Sequence, residues 1–102
     1  MAVYVDAAVN GYGRMVMCHM LANTRAELDA MADKIGVARK HYQHPMNPRV
    51  SFPHYDICKA KRVIAVKLGA KPIERRALAD FMRAVKAAII AQGKTWAETE
   101  WN

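Results

Sequence analysis

Met15-Val16-Met17-Cys18-His19-Met20-Leu21-Ala22 is the stretch that decides how this chain folds. At the strand period of two, both of its faces are apolar, and His19 is the only polar interruption. A strand of that kind is covered on both sides, as the central strand of a sheet between helices is. Upstream, Asn10-Gly11-Tyr12-Gly13 is turn chemistry, and Ala2-Val3-Tyr4-Val5 is a β-branched and aromatic run that ends at Asp6.

Downstream, Thr24-Arg25-Ala26-Glu27 has the spacing of a capping box. Leu28, Met31, Ala32 and Ile35 follow at helical spacing, and Gly36 closes that helix. Residues 37–42 suit a short strand. Residues 43–53 hold Pro45, Pro48, Pro53 and Asn47, which predict a long loop without regular structure. Asp56 then stands as N-cap of a second helix with Ile57, Ala60, Ile64 and Leu68 on one face and Gly69 at its end. Lys71-Pro72-Ile73 is a brief extended piece. Leu78, Phe81, Met82, Val85 and Ile89 mark a last helix that stops before Gly93. Two successive units of helix, glycine and extended segment predict an α/β fold, a small sheet with three helices packed on it. Residues 1–92 form the single domain. Residues 93–102 are an acidic tail carrying Trp96 and Trp101, which docks on the body or on another subunit, so a homodimer is one expectation.

A chain of 102 residues, just over half of them hydrophobic, suffices for one core. No apolar run approaches the ~18 residues of a membrane helix, and the N-terminus lacks the basic-then-apolar order of a signal peptide. Cys18 and Cys58 have neither metal nor redox spacing, and seven methionines would be prone to oxidation outside the cell. A reducing cytoplasm is the expected setting, with no membrane partner. The net charge of +7 is concentrated between Arg39 and Arg76, where ten Lys/Arg face only Asp56 and Glu74. Such a region attracts phosphate, whether of a small nucleotide-like molecule or of nucleic acid, unless it is only a solvated face.

Candidate site residues gather around this region. His54-Tyr55-Asp56 places an imidazole, a phenol and a carboxylate at the expected helix start, where unpaired N–H groups favour anions. His19 must find a hydrogen-bond partner within its apolar strand. Cys18 beside it points to the opposite strand face, which argues against a cysteine–histidine nucleophile pair. Arg14, after a Gly-Tyr-Gly turn, offers a planar fork for carboxylate or phosphate. Arg62 and Arg49 add cations on the second helix and the loop. A metal would need His54, Asp56 and, in space, His19. Their spacing fits no zinc signature and nearby Lys and Arg oppose a cation, so neither metal nor cofactor is assigned.

These residues resemble a family of small bacterial and phage proteins, domain of unknown function 4031. The likeness covers residues 2–90 and rests on Val3-Tyr4-Val5-Asp6, Gly13-Arg14 followed by His19, and Thr24 with Glu27-Leu28. Ile35-Gly36, His54-Tyr55-Asp56 and Gly69-Ala70 complete it. In that family an aspartate often stands where this chain has Asn23. The resemblance implies a fold and a shared pocket at Arg14, His19, His54, Tyr55 and Asp56, but no activity. The resulting expectation is a pocket that binds a small phosphorylated or nucleotide-like molecule, with its hydrolysis left open beside binding alone. His54 and His19 would be proton-transfer groups, Asp56 their orienting partner, and Arg14, Tyr55, Arg62 and Arg49 the ligand-binding groups. The loop at residues 43–53 would be its lid. The alternatives are a nucleic-acid-binding accessory without chemistry and a protein-interaction module that uses the tryptophan tail.

Overall fold

The computed structural model describes residues 2–7, 10–12 and 15–102, with residues 10–12 described through their backbone. Strand β1 (Val3–Val5) pairs antiparallel with β3 (Met15–Ala22), as does β2 (Asn10–Tyr12). Strand β4 (Tyr55–Cys58) lies antiparallel on the other edge of β3, and β5 (Lys71–Pro72) runs parallel to β1. The eight-residue β3 is therefore the central strand of a mixed sheet, as its two-faced apolar pattern implies. Met20–Ala22 of β3 pair with β1, and Met15–Met17 with β2. Asp6, one residue past β1, donates its backbone N–H to the His19 carbonyl at 3.2 Å and so stands opposite His19.

Helix α1 (Arg25–Ile35) begins at the Thr24 N-cap, with the forward half of the capping box formed. Thr24 Oγ1 accepts the Glu27 N–H at 3.2 Å, and Gly36 ends the helix in the left-handed region at φ 77°. The Glu27 carboxylate reaches back to the Thr24 hydroxyl and also takes the Ala2 N–H, tying the start of β1 to α1. Leu28, Met31, Ala32 and Ile35 pack with Val3, Val5, Cys18, Met20, Tyr55 and Ile57 in the main core. Helix α2 (Lys59–Lys67) adds Ala65 to the same core. Helix α3 (Arg75–Ala91) brings Leu78 to a second core with Leu21 and Phe52, and its Phe81 ring meets Tyr4 edge-on at 5.2 Å. Alternate residues of β1 and β3 thus enter different cores, and the sheet lies between two helical layers.

Three expectations change. Residues 37–42 contain a 3-10 turn at Arg39–His41 instead of a strand. Asp56 is no N-cap: it belongs to β4, paired with His19, and α2 starts three residues later behind Cys58. The apolar face assigned to α2 also differs, since Ala65 is buried while Ile64 and Leu68 are exposed. The tail, expected on the body or on another subunit, packs on the body. Trp101 is buried in the main core, and its carbonyl accepts the Tyr42 hydroxyl at 2.7 Å. Phe52 packs edge-on against Trp96 at 5.6 Å, so both tryptophans are engaged within the chain.

Candidate functional site

On a strand, residues two apart share a face, and directly paired residues of neighbouring strands stand side by side. His54 and Asp56 are two apart at β4, and Asp56 pairs with His19 on β3. The sheet therefore sets all three on the face that α3 partly covers. The His19 and His54 rings lie 5.1 Å apart, edge to face. The Asp56 carboxylate is 3.2 Å from His54 Nε2 and 3.8 Å from His19 Nε2.

A fourth member comes from the end of β1, where Asp6 stands opposite His19. One oxygen of Asp6 accepts the His19 backbone N–H at 2.6 Å, and the other lies 2.7 Å from His19 Nδ1. An ionised carboxylate only accepts, so Nδ1 carries the hydrogen and Nε2 faces Asp56. His54 is oriented in the same sense by a different group. Its Nδ1 donates to the Phe52 carbonyl at 2.6 Å, which again leaves Nε2 toward Asp56. Burial lowers the affinity of His54 for a proton, but the bonds to Asp56 and to the Phe52 carbonyl outweigh it and hold its pKa above the ordinary value. The bond from His54 holds the Asp56 carboxyl below the usual carboxylate range, against the effect of partial burial.

Asp6, His19 and His54 line a cavity of about 310 Å³ whose other walls come from the first turn of α3 (Arg75, Leu78) and from Ser51 and Phe52. Asp56 stands at its edge and lines a neighbouring depression with Met17 and His41. The first cavity has the size of a small-molecule site, apolar with a few convergent polar groups.

The structure thus brings together His19, His54 and Asp56, with both histidines on one side of the sheet. Arg62 stands behind them, its Nε donating to the Asp6 carbonyl at 2.7 Å. Tyr55 does not join them. It is fully buried on the opposite face, where its hydroxyl donates to Asp29 at 2.7 Å, because the strand period separates it from both neighbours. Its assignment as a ligand-binding residue is corrected accordingly. Arg49 is exposed, with its backbone N–H bonded to Asn47 Oδ1, and is not among the cavity residues. Arg14 lies outside the described residues. Sequence reasoning missed Asp6 and Arg75. An acid closing a strand was the available signal for the first, and the second had none beyond its charge.

The chain matches the family described as "Protein of unknown function (DUF4031)" over residues 3–85. It belongs to that family. The matched region contains β1 through most of α3, and with them Asp6, His19, His54, Asp56 and Arg75. No curated protein and no solved structure matches the chain. Among the described residues, no helix is long and apolar enough to cross a membrane.

Proposed function

We propose that the cavity beside α3 binds a small phosphorylated or nucleotide-like molecule and hydrolyses its phosphate ester. The observation that carries this reading is the meeting of Arg75 with the Asp6, His19 and His54 group on the walls of one small cavity. Arg75 offers a guanidinium fork for a phosphoryl group. It opens the first turn of α3, whose unpaired N–H groups and positive dipole end add to the same attraction. The His19 Nε2 at the other side, in a ring held by Asp6, accepts a hydrogen bond from a water and orients it toward phosphorus. Water adds to phosphorus, the ester oxygen leaves with a proton, and an alcohol and inorganic phosphate result. Leu78 and Met82 supply apolar wall for the rest of the molecule.

Thermal unfolding in the presence of nucleotides, sugar phosphates and short DNA or RNA tests this. A ligand at about ten times its Kd stabilises by roughly 1.4 kcal/mol, which raises the midpoint by several degrees in a domain of this size. The reading expects such a rise with a phosphorylated small molecule, and its loss in Arg75→Ala. A rise with nucleic acid alone, steeply reduced by salt, would replace the pocket with a surface that contacts many phosphates. An equal rise in Arg75→Ala would remove the anion-holding role from the cavity.

A further inference from the structure

We propose that His19, His54 and Asp56 bind a divalent first-row transition ion of the zinc type. Their three donor atoms, two imidazole Nε2 and one carboxylate oxygen, all lie within 4.8 Å of one another. Ligands about 2.0–2.2 Å from a tetrahedral ion stand about 3.3–3.6 Å apart. The two distances to Asp56, 3.2 and 3.8 Å, bracket that spacing, and the two imidazole nitrogens, at most 4.8 Å apart, would close in on a bound ion.

The surroundings of the two rings are the second argument. A metal-bound histidine usually donates its other ring N–H to a carboxylate or a carbonyl, which fixes the tautomer and raises the basicity of the ligating nitrogen. Both partners are in place here: Asp6 on His19 Nδ1 at 2.7 Å, and the Phe52 carbonyl on His54 Nδ1 at 2.6 Å. Each ring is therefore locked with Nε2 toward the shared point. The third argument is charge. Asp6 and Asp56 set two carboxylates around two imidazoles, while Arg62 is held on the Asp6 backbone carbonyl and Arg75 stands on the cavity wall. A bound cation offsets that negative charge and lets a phosphoryl group approach. Three protein ligands leave at least one position for water or ligand, the arrangement of catalytic zinc sites. Two of the three line the cavity. The linear spacing hides the site because the sheet makes it: residues two apart on β4 meet a residue of β3, with no helix or tight loop to leave a recognisable interval.

Metal alone tests this without reference to any phosphorylated ligand, so either reading can fail while the other stands. The full chain, stripped with a chelator, is titrated with Co(II), and with Zn(II) against a fluorescent indicator. One equivalent should bind. His19→Gln, His54→Gln and Asp56→Asn should each lower affinity at least about tenfold, and Asp6→Asn by about 10–100-fold through the lost support of His19. His44→Gln, at a histidine outside the cluster, should bind as the unaltered chain does. Proton NMR of that unaltered chain gives a readout independent of variant folding. Co(II) should shift or broaden the ring signals of His19 and His54 and leave those of His44 sharp. No binding up to millimolar metal, unchanged affinity in the folded His19 and His54 variants, or perturbation centred on other histidines would each overturn the site.

Discussion

The two faces of the β3–β4 ribbon differ in what they do, although their residues alternate along the same few positions. Cys18, Met20, Tyr55 and Ile57 are at most 1% exposed and fill the main core with α1 and α2. His19 and Asp56, one step away on each strand, have side chains 38% and 41% exposed beside α3. Strand pairing holds both sets equally firmly in place. The covered face contributes burial of apolar area and therefore stability. The partly open face can keep ionisable groups hydrated while the ladder beneath fixes their spacing, which suits a site.

The largest contrast should be seen in the two cysteines, which lie on opposite faces of this ribbon. Burial, with the Asp6 carboxylate adding to it, pushes the Cys18 thiol up to about 12. At pH 8 only about one molecule in ten thousand would carry the reactive thiolate. Cys58 is only half-buried. Iodoacetamide followed by mass spectrometry should label Cys58 well before Cys18, by orders of magnitude in rate, and denaturant should abolish the difference. Equal rates in the folded chain would show that the covered face is open.

Stability should divide the faces next. Met20→Ala removes a fully buried side chain and should cost about 2–5 kcal/mol in urea unfolding. Tyr55→Phe leaves the packing but strips Asp29 of its hydroxyl donor, a loss of about 1–3 kcal/mol. The same residue predicts an alkaline limit. Burial and then the bond to Asp29 raise the Tyr55 phenol above its ordinary 10.0, and burial does the same for Tyr42. A neutral form favoured by folding contributes its full stability below pH 10 and loses it as pH rises further, toward the raised folded value. Unfolding between pH 8 and 11 should show that decline, with a shallower slope in Tyr55→Phe.

Much of this division is legible in the sequence, and the failures have a common cause. The two-faced apolar run at Met15–Ala22 marks the central strand, and Thr24 with Glu27 and Gly36 bounds α1, because caps and periodicity are local. His54-Tyr55-Asp56-Ile57 also alternates polar and apolar, as a half-covered strand does, yet Asp56 beside a helical pattern reads equally well as a cap. Its pairing with His19 decides, and that contact spans 37 positions of chain. Asp6 enters the site by alternation, one residue past the core-facing Val5, but that it meets His19 is decided by the pairing of β1 with β3. Trp101 reaches the core by packing across the whole fold. Local chemistry thus marked His19, His54 and Asp56 as residues of interest, and only pairing assembled them.

Loss of the cap role makes Asp56 a sharper probe of the open face. Asp56→Ala now removes a half-exposed ion pair with His54, and its cost should stay within about 1 kcal/mol, as for partly solvated pairs. Asp56→Asn should not restore stability through capping. A loss comparable to that of Met20→Ala would mean that the site face carries the fold as heavily as the core face does.

The smallest effect is expected at Arg49. Its loop is held at its base by the Gln43 N–H to the His54 carbonyl at 2.8 Å, and Phe52 is buried, 2% exposed, in the second core. Between these anchors two turns close through Asn47 N–H to the His44 carbonyl and Val50 N–H to the Asn47 carbonyl. Three prolines therefore do not leave the segment without hydrogen bonds. Arg49 is exposed on the second turn and does not line the cavity, while Ser51 and Phe52 form part of the wall. Arg49→Ala should change unfolding by no more than about 0.5 kcal/mol, as at an ordinary surface position. It should also leave binding of a phosphorylated ligand near that of the unaltered chain, where Arg75→Ala lowers it. Hydrogen exchange adds the discriminating measurement: the Gln43 amide, paired at the base, should be protected more than those of Asn47 and Val50 at the tip. If Arg49→Ala instead weakens binding as much as Arg75→Ala, and ligand protects the tip amides, the loop closes over the cavity and the open face of the ribbon has a moving cover.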